Sequence, residues 1–178
     1  MDYDLIPLLS LLEKYSESEV VAKLQEFHCS RDEDRESYLH NKAIPMEKKA
    51  MSRTYLAVSK EHRIIGYFSI GMKCMSVPDD IPISRNLRRK MNINDETGIA
   101  QMYLLGQLAR SDDSESGTGS MLLNDALGII HKAYITVGCR VVRVDCADDL
   151  VQYYENHRFT FINKNEDENL NRLVALIN

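Results

Sequence analysis

The apolar positions of this chain keep a helical spacing through its first third and then shorten into strand-length runs. Asp4 to Leu9 predicts a short first strand, broken at Pro7. Ser16 followed by Glu19 is a capping box, and Val20, Val21, Leu24 and Phe27 recur behind it at helical spacing. Ser30 with Glu33 repeats that start signal for a helix carrying Tyr38, Leu39 and Ala43, which Pro45 bends or restarts. Residues 9–50 are therefore expected to be mainly helical.

From Arg53 the pattern changes. Arg53–Val58 and Arg63–Ile70 flank the polar turn 59–62 and predict a hairpin. Ser76 to Gly98 is polar, with Pro78 and Pro82 early and a basic run predicting a short helix; it is the least constrained stretch and is expected to be a variable insertion. Gln101–Ala109 is an apolar strand. A small-residue turn, Ser114–Ser120, leads from it into a helix beginning near Met121, with Leu122, Ala126, Ile129, Ala133 and Val137 on one face and Gly138 as its stop. Val141–Val144 predicts a strand, and Asp148 or Asp149 caps a short helix through Tyr153 and Tyr154. Phe159–Ile162 and Leu173–Ile177 close the pattern as strands. The expected fold class is α+β: a mixed, mostly antiparallel sheet of six or seven strands flanked by helices, with one βαβ crossover. No repeat or linker divides the chain, so a single domain over residues 1–178 is expected.

Composition narrows the class. The net charge of −5 disfavours general nucleic-acid binding. The positive charge is clustered, however, in Arg85, Arg88, Arg89 and Lys90, and again in Lys48, Lys49 and Arg53. Each cluster is either a solvated helix face or a surface for an anionic partner. No apolar run has the length of a membrane span, and Met1–Asp4 lacks the basic residues of a secretory signal, so a cytoplasmic location without membrane attachment is expected. Cys29, Cys74, Cys139 and Cys146 are scattered without Cys-x-x-Cys spacing, which predicts reduced thiols and no metal site.

The turn at Ser114–Ser120 carries the chemistry. Between a strand and a helix N-terminus, a small-residue turn leaves backbone N–H groups free and points a helix dipole outward, which makes a phosphate cradle. A dinucleotide fold would place such a turn after the first strand, with an acidic residue about 20 residues later in further βαβ units. Here the turn is late in the chain, and no Lys-Ser or Lys-Thr follows Gly119 to make a P-loop.

Three motifs in order then point to a family. Gly66–Ile70 follows a hairpin; Leu105–Ala109 precedes Gly117-Thr118-Gly119; and Tyr153-Tyr154-Glu155-Asn156-His157-Arg158-Phe159 lies late in the chain. Together they resemble the third strand, the fourth strand with its pyrophosphate loop (Gln/Arg-x-x-Gly-x-Gly/Ala), and the Tyr-x-x-x-Gly-Phe motif of the GNAT superfamily of N-acetyltransferases. Phe27-His28-Cys29, Tyr38–Ala43 and Ser52–Leu56 are similar, more loosely, to the start of the toxin branch that acts on aminoacyl-tRNA.

The resemblance implies direct transfer of an acetyl group from acetyl-CoA to a primary amine, with no metal. The cofactor would lie along Gln107, Leu108 and Ala109. Its pyrophosphate would sit on Glu115, Ser116, Gly117, Thr118, Gly119 and Ser120, with Asn156 as a further contact, and Tyr154 would be the general acid in competition with Tyr153. The acceptor is left open among aminoacyl-tRNA, a small amine and a protein amine. A homodimer and an antitoxin are further partners that the resemblance allows. Glu13, Glu47 and Glu96 are acidic candidates for a general base, each weighed against plain surface charge; Cys146, His131 and His157 read as packing or surface residues. Two departures stand out: Ser114 replaces the loop's Gln or Arg among Asp112, Asp113 and Glu115, and Arg158 replaces the glycine before Phe159. A non-catalytic acyl-CoA-binding sensor or assembly module is the alternative that the acidic loop suggests.

Overall fold

The computed structural model describes residues 2–165 and 169–177. Among the described residues, seven strands form one sheet in the order β1-β2-β3-β4-β5-β7-β6: β1 Tyr3–Pro7, β2 Ser52–Ser59, β3 Ile64–Ser76, β4 Ile99–Arg110, β5 Val141–Cys146, β6 Thr160–Asn165 and β7 Leu170–Leu176. The β4–β5 pair is parallel and is joined by a long helix, whereas β1–β2, β2–β3, β5–β7 and β6–β7 are antiparallel. This is the mixed α+β sheet with one crossover that the sequence predicts. The helices are α1 Leu8–Lys14, α2 Glu17–Leu24, α3 Glu33–Asn41, α4 Ala43–Lys48, α5 Arg85–Lys90, α6 Thr118–Val137 and α7 Val151–Asn156.

Several boundaries differ from the sequence expectation, each for a local reason. The first strand ends at Pro7, and Leu8 and Leu9 open α1 instead; proline before the first helical turn removes an N–H that the helix does not use. The Ser16–Glu19 capping box forms as expected. The next helix starts behind Asp32, not Ser30, because the Asp32 carboxylate accepts from the Arg35 amide at 3.1 Å. It stops at Asn41, so Ala43 belongs to α4, where Pro45 occupies the tolerant first turn. Strand β3 continues to Ser76, six residues past Ile70. Asp148 and Asp149 begin a single 3-10 turn, Asp148–Leu150, with no side-chain cap. The Asp148 carboxylate instead accepts from Asn171 Nδ2 at 2.7 Å and Lys164 Nζ at 3.0 Å.

The chain divides into two compact units, residues up to 71 with 106–128, and residues 72–105 with 129 onward. In the first, Leu8, Val20, Leu24, Phe27, Leu39, Leu56 and Tyr67 are buried together. Phe27 meets Tyr67 edge-on at 5.5 Å, Tyr38 stacks on Tyr67 at 6.3 Å, and the Tyr67 hydroxyl donates to the Arg35 carbonyl at 2.6 Å. In the second unit Met75, Val77, Met91, Ala100, Met102, Val141, Ile162 and Val174 form the core, with Ile81, Ile83, Leu87 and Ile93 packed against it. The polar stretch 76–98 is thus anchored at Val77 and Met91, which are fully buried, and it is less free than its composition suggests. Helix α6 buries Leu122, Leu123, Ala126 and Ile130, while Val137, the last member of the expected stripe, is exposed.

Within the first unit Gly66 on β3 sets how closely α6 approaches. A Cβ placed there would lie 2.5 Å from Leu122 Cδ1 and 2.8 Å from the Ala109 carbonyl oxygen. The leucine tip can shift, but the strand carbonyl cannot shift without moving the end of β4. Gly66→Ala is therefore expected to lower unfolding free energy by about 1–3 kcal/mol in chemical denaturation. A loss below about 0.5 kcal/mol, the scale of a neutral surface change, would contradict this close approach.

Candidate cofactor loop and catalytic tyrosine

The end of β4 is clamped by polar groups from the first turn of α3 and the segment before it. Arg35 Nη1 donates to the Leu108 carbonyl, and Arg31 Nη2 donates to the carbonyls of Arg110 at 3.1 Å and Ser111 at 2.9 Å. The Ser111 amide donates to the Ile65 carbonyl, and the Asp112 amide to the His28 carbonyl. The Asp112 carboxylate then accepts from the Ser30 amide at 3.0 and 3.2 Å and lies 3.6 Å from Arg31 Nη2. The Ser30 amide bond is the largest of the influences that hold the Asp112 carboxyl below its usual range. These bonds fix where the strand stops and the turn begins.

The turn itself is short. The Ser114 hydroxyl donates to the Ser111 carbonyl at 2.6 Å and lies 3.3 Å from Arg110 Nη1. Gly117 takes φ +89, a backbone state that favours glycine, and nothing lies within 4 Å of where its Cβ would be. Thr118, fully buried, donates its hydroxyl to the Glu115 carbonyl at 2.8 Å and opens α6 three residues earlier than expected. Gly119 and Ser120 therefore lie in the first helical turn. The amides of Thr118, Ser120 and Met121 turn inward to the carbonyls of Glu115 and Gly117. Those of Ser116, Gly117 and Gly119 donate to no backbone carbonyl among the described residues. Amides left out of the backbone network at the start of a 20-residue helix are groups that can receive an anion.

The remaining residues of the expected cofactor strip fall as follows. Gln107 and Leu108 are half-buried on β4 and Ala109 is buried; Glu115, Ser116 and Gly117 are exposed. Asp112 and Asp113 line a recess of about 300 Å³ with Glu26, His28 and Arg63, beside the hairpin. The Asp112 charge is thus engaged by Ser30 and Arg31. The roles of Arg31, Arg35 and Asp112 escaped the sequence reading, because nothing in their spacing marks a contact about 80 positions apart.

In the second unit Tyr154 is buried on α7, edge-on to Phe159 at 5.4 Å and to Tyr153 at 5.2 Å. Its carbonyl accepts from the amides of His157 and Phe159, so the backbone after α7 wraps around it. Asn156 is exposed and accepts from Gln152 Nε2 at 3.2 Å. Tyr153 is half-buried, with the His157 ring 4.5 Å from its own. Arg158 takes φ +68, so the glycine it replaces in the motif matches a left-handed turn, which arginine adopts at a cost of about 1–2 kcal/mol.

Of the base candidates, Glu13 and Glu96 are exposed. Glu47 is not the surface charge that the sequence suggests. It is buried, its carboxylate accepting from the Thr54 amide at 2.9 Å and from Arg53 Nη1 at 2.9 Å, and it anchors the start of β2. Cys146 is buried at the end of β5 and His131 is exposed on α6. No group of three or more metal-type side chains occurs among the described residues, and no described helix is long and apolar enough to cross a membrane.

No protein-family model matches the sequence, and no curated protein matches it. Solved structures do share its fold. AtaT complexed with acetyl-methionyl-tRNAfMet has a TM-score of 0.75 at 19% identity, covering 98% of this chain and 95% of that one. A tyrosine-to-phenylalanine mutant of KacT gives 0.77 at 18%, covering 99% and 95%. A mutant AtaT toxin bound to the C-terminus of the antitoxin AtaR and acetyl-CoA gives 0.70 at 17%, covering 99% and 94%. At these identities the likeness establishes the fold alone, the mixed α+β sheet expected from the sequence.

The clamp predicts a pH signature. A carboxyl held below its unfolded value contributes stability above that unfolded value and loses it as pH falls through the folded one. Asp112→Ala is expected to lower the Tm at pH 7, with the gap to wild type narrowing as the wild-type carboxylate protonates in acid. An equal Tm at pH 7, or a gap that does not change with pH, would contradict this.

Proposed function

We propose that this chain is an acetyl-CoA-dependent N-acetyltransferase that acts as one catalytic domain, and that its acceptor is the amino group of an aminoacyl-tRNA. The observation that carries the reading is the cradle at the N-terminus of α6. There the Ser116, Gly117 and Gly119 amides stand outside the backbone network, with open space at Gly117. Such a site fits the pyrophosphate of CoA, since a diphosphate needs several convergent N–H donors and a close backbone approach. The bound cofactor would supply an activated thioester carbonyl.

The chain's residues would do the rest. The end of β4, held by Arg31, Arg35 and Asp112, would give the pantetheine arm a fixed strand to lie along at Gln107–Ala109. The acceptor nitrogen would attack the carbonyl in its neutral form and lose a proton to solvent, the carbon–sulfur bond would break, and the Tyr154 phenol would give its proton to the departing thiolate and recover one from solvent. A phenol of pKa about 10 and a thiol of about 8.5 are close enough for that transfer near neutrality. The packing of Tyr154 between Tyr153 and Phe159 supports its choice over Tyr153, since a fixed ring holds its hydroxyl in one place.

Two observations favour a tRNA acceptor. AtaT shares this fold and is seen with an acetylated aminoacyl-tRNA. The basic run at α5 also divides into two roles. Arg88 is used internally, donating to the carbonyls of Val77 and Pro78 and pairing with Asp79, whereas Arg85, Arg89 and Lys90 are exposed. Exposed cations on one short helix suit an RNA backbone. The reading places the protein in the cytoplasm, with an antitoxin among its partners.

The test is thiol release from acetyl-CoA by the purified protein, offered charged tRNA, a polyamine or a lysine peptide. Release is expected with charged tRNA, and Tyr154→Phe is expected to lower kcat by about 10²–10⁴-fold while leaving acetyl-CoA affinity close to wild type. Release with the small amine or the peptide alone would overturn the acceptor assignment. An unchanged kcat in the variant would remove Tyr154 from the mechanism.

A further inference from the structure

The proposed loop lacks the Gln or Arg that the resembling loops carry, because Ser114 stands in that place. A cation lies beside it nonetheless. Arg110 is the last residue of β4, half-buried, and its Nη1 lies 3.3 Å from the Ser114 hydroxyl. Ser114 is itself fixed by the bond to the Ser111 carbonyl, and the Arg110 carbonyl is fixed by Arg31. Backbone and guanidinium are therefore both positioned.

No ion pair to Arg110 occurs among the described residues. Asp112, Asp113 and Glu115 all lie within five positions of it, yet none forms an ion pair with it among the described residues. The nearest of these in sequence, Asp112, is taken by the Ser30 amide and by Arg31. A half-buried guanidinium gives up hydration and side-chain freedom, which an ionic partner normally offsets. With one N–H directed at Ser114, four donors remain in a planar fork that suits two phosphate oxygens at once.

Resting on the reading of this loop as a CoA site, we propose that Arg110, turned toward the loop by Ser114, supplies the positive charge that binds the CoA pyrophosphate. The cation is thereby moved from the loop into the end of the strand before it. The device also explains how an acidic loop tolerates a diphosphate: one carboxylate is bound to the segment before α3, and a strand-end arginine faces the turn.

The experiment measures dissociation constants for CoA and for 3′-dephospho-CoA by calorimetry, on wild type, Arg110→Gln and Arg110→Lys. Arg110→Gln is expected to weaken both ligands by about tenfold or more, the effect of removing a charged hydrogen-bonding partner. Arg110→Lys should recover part of that loss, and the ligand-free Tm of both variants should stay close to wild type. Affinities of Arg110→Gln within about twofold of wild type would overturn the proposal, that being well under the effect of one charged hydrogen bond. A loss confined to CoA would assign Arg110 to the 3′-phosphate and overturn the pyrophosphate contact. A parallel fall in ligand-free Tm would make the residue structural and overturn it too. Failure of wild type to bind either ligand would instead overturn the loop reading beneath it.

Discussion

The end of β4 is held to a segment some 70 to 80 positions earlier in sequence: Arg35 at Leu108, Arg31 at Arg110 and Ser111, and the Ser30 amide at the Asp112 carboxylate. Everything in the glycine turn depends on that attachment. A strand end free to fray would leave Ser114, Gly117 and Thr118 without a fixed frame. Gly66 adds the second limit, since only a residue without a Cβ lets β3, the Ala109 carbonyl and Leu122 of α6 meet so closely. Strand end and helix start are thereby set from two directions within one unit.

This arrangement changes how the charge of the loop is understood. By sequence alone, Asp112, Asp113 and Glu115 make the turn acidic and a poor host for phosphate. In the fold Asp112 is a structural anchor with its carboxyl held below its usual range, and Asp113 lines a recess beside the hairpin. The acid closest to the strand thus contributes to holding the turn, and Arg110, without an ion pair among the described residues, lies beside the Ser114 hydroxyl. Glu47 gives the same lesson at the start of β2, where an acid that looks like surface charge is buried on Thr54 and Arg53.

The sequence made the sheet and the glycine turn legible because both follow local rules. The hairpin of β2 and β3, the capping box at Ser16 and Glu19, and the strand–turn–helix–strand crossover each rest on spacing within a few residues. It failed where a distant partner decided a local outcome. Ser30 looked like a helix cap, but its amide is committed to Asp112, and Asp32 took the cap through Arg35. The start of α6 moved to Thr118 because the threonine hydroxyl closes on Glu115, a choice that composition does not reveal. The stretch 76–98 read as unconstrained because its apolar anchors, Val77 and Met91, are widely spaced among polar residues. Only its motif singles out Tyr154 as a candidate in the sequence; its packing on Phe159 is a property of the folded chain.

If the turn before α6 receives the diphosphate of acetyl-CoA, amide hydrogen exchange with and without that ligand reports it directly. Saturating acetyl-CoA is expected to slow exchange at Ser116, Gly117 and Gly119, whose amides donate to no backbone carbonyl among the described residues, far more than at the amides of Thr118 and Ser120, which already turn inward. Exchange at Ser116–Gly119 that is the same with and without a saturating ligand would contradict the account.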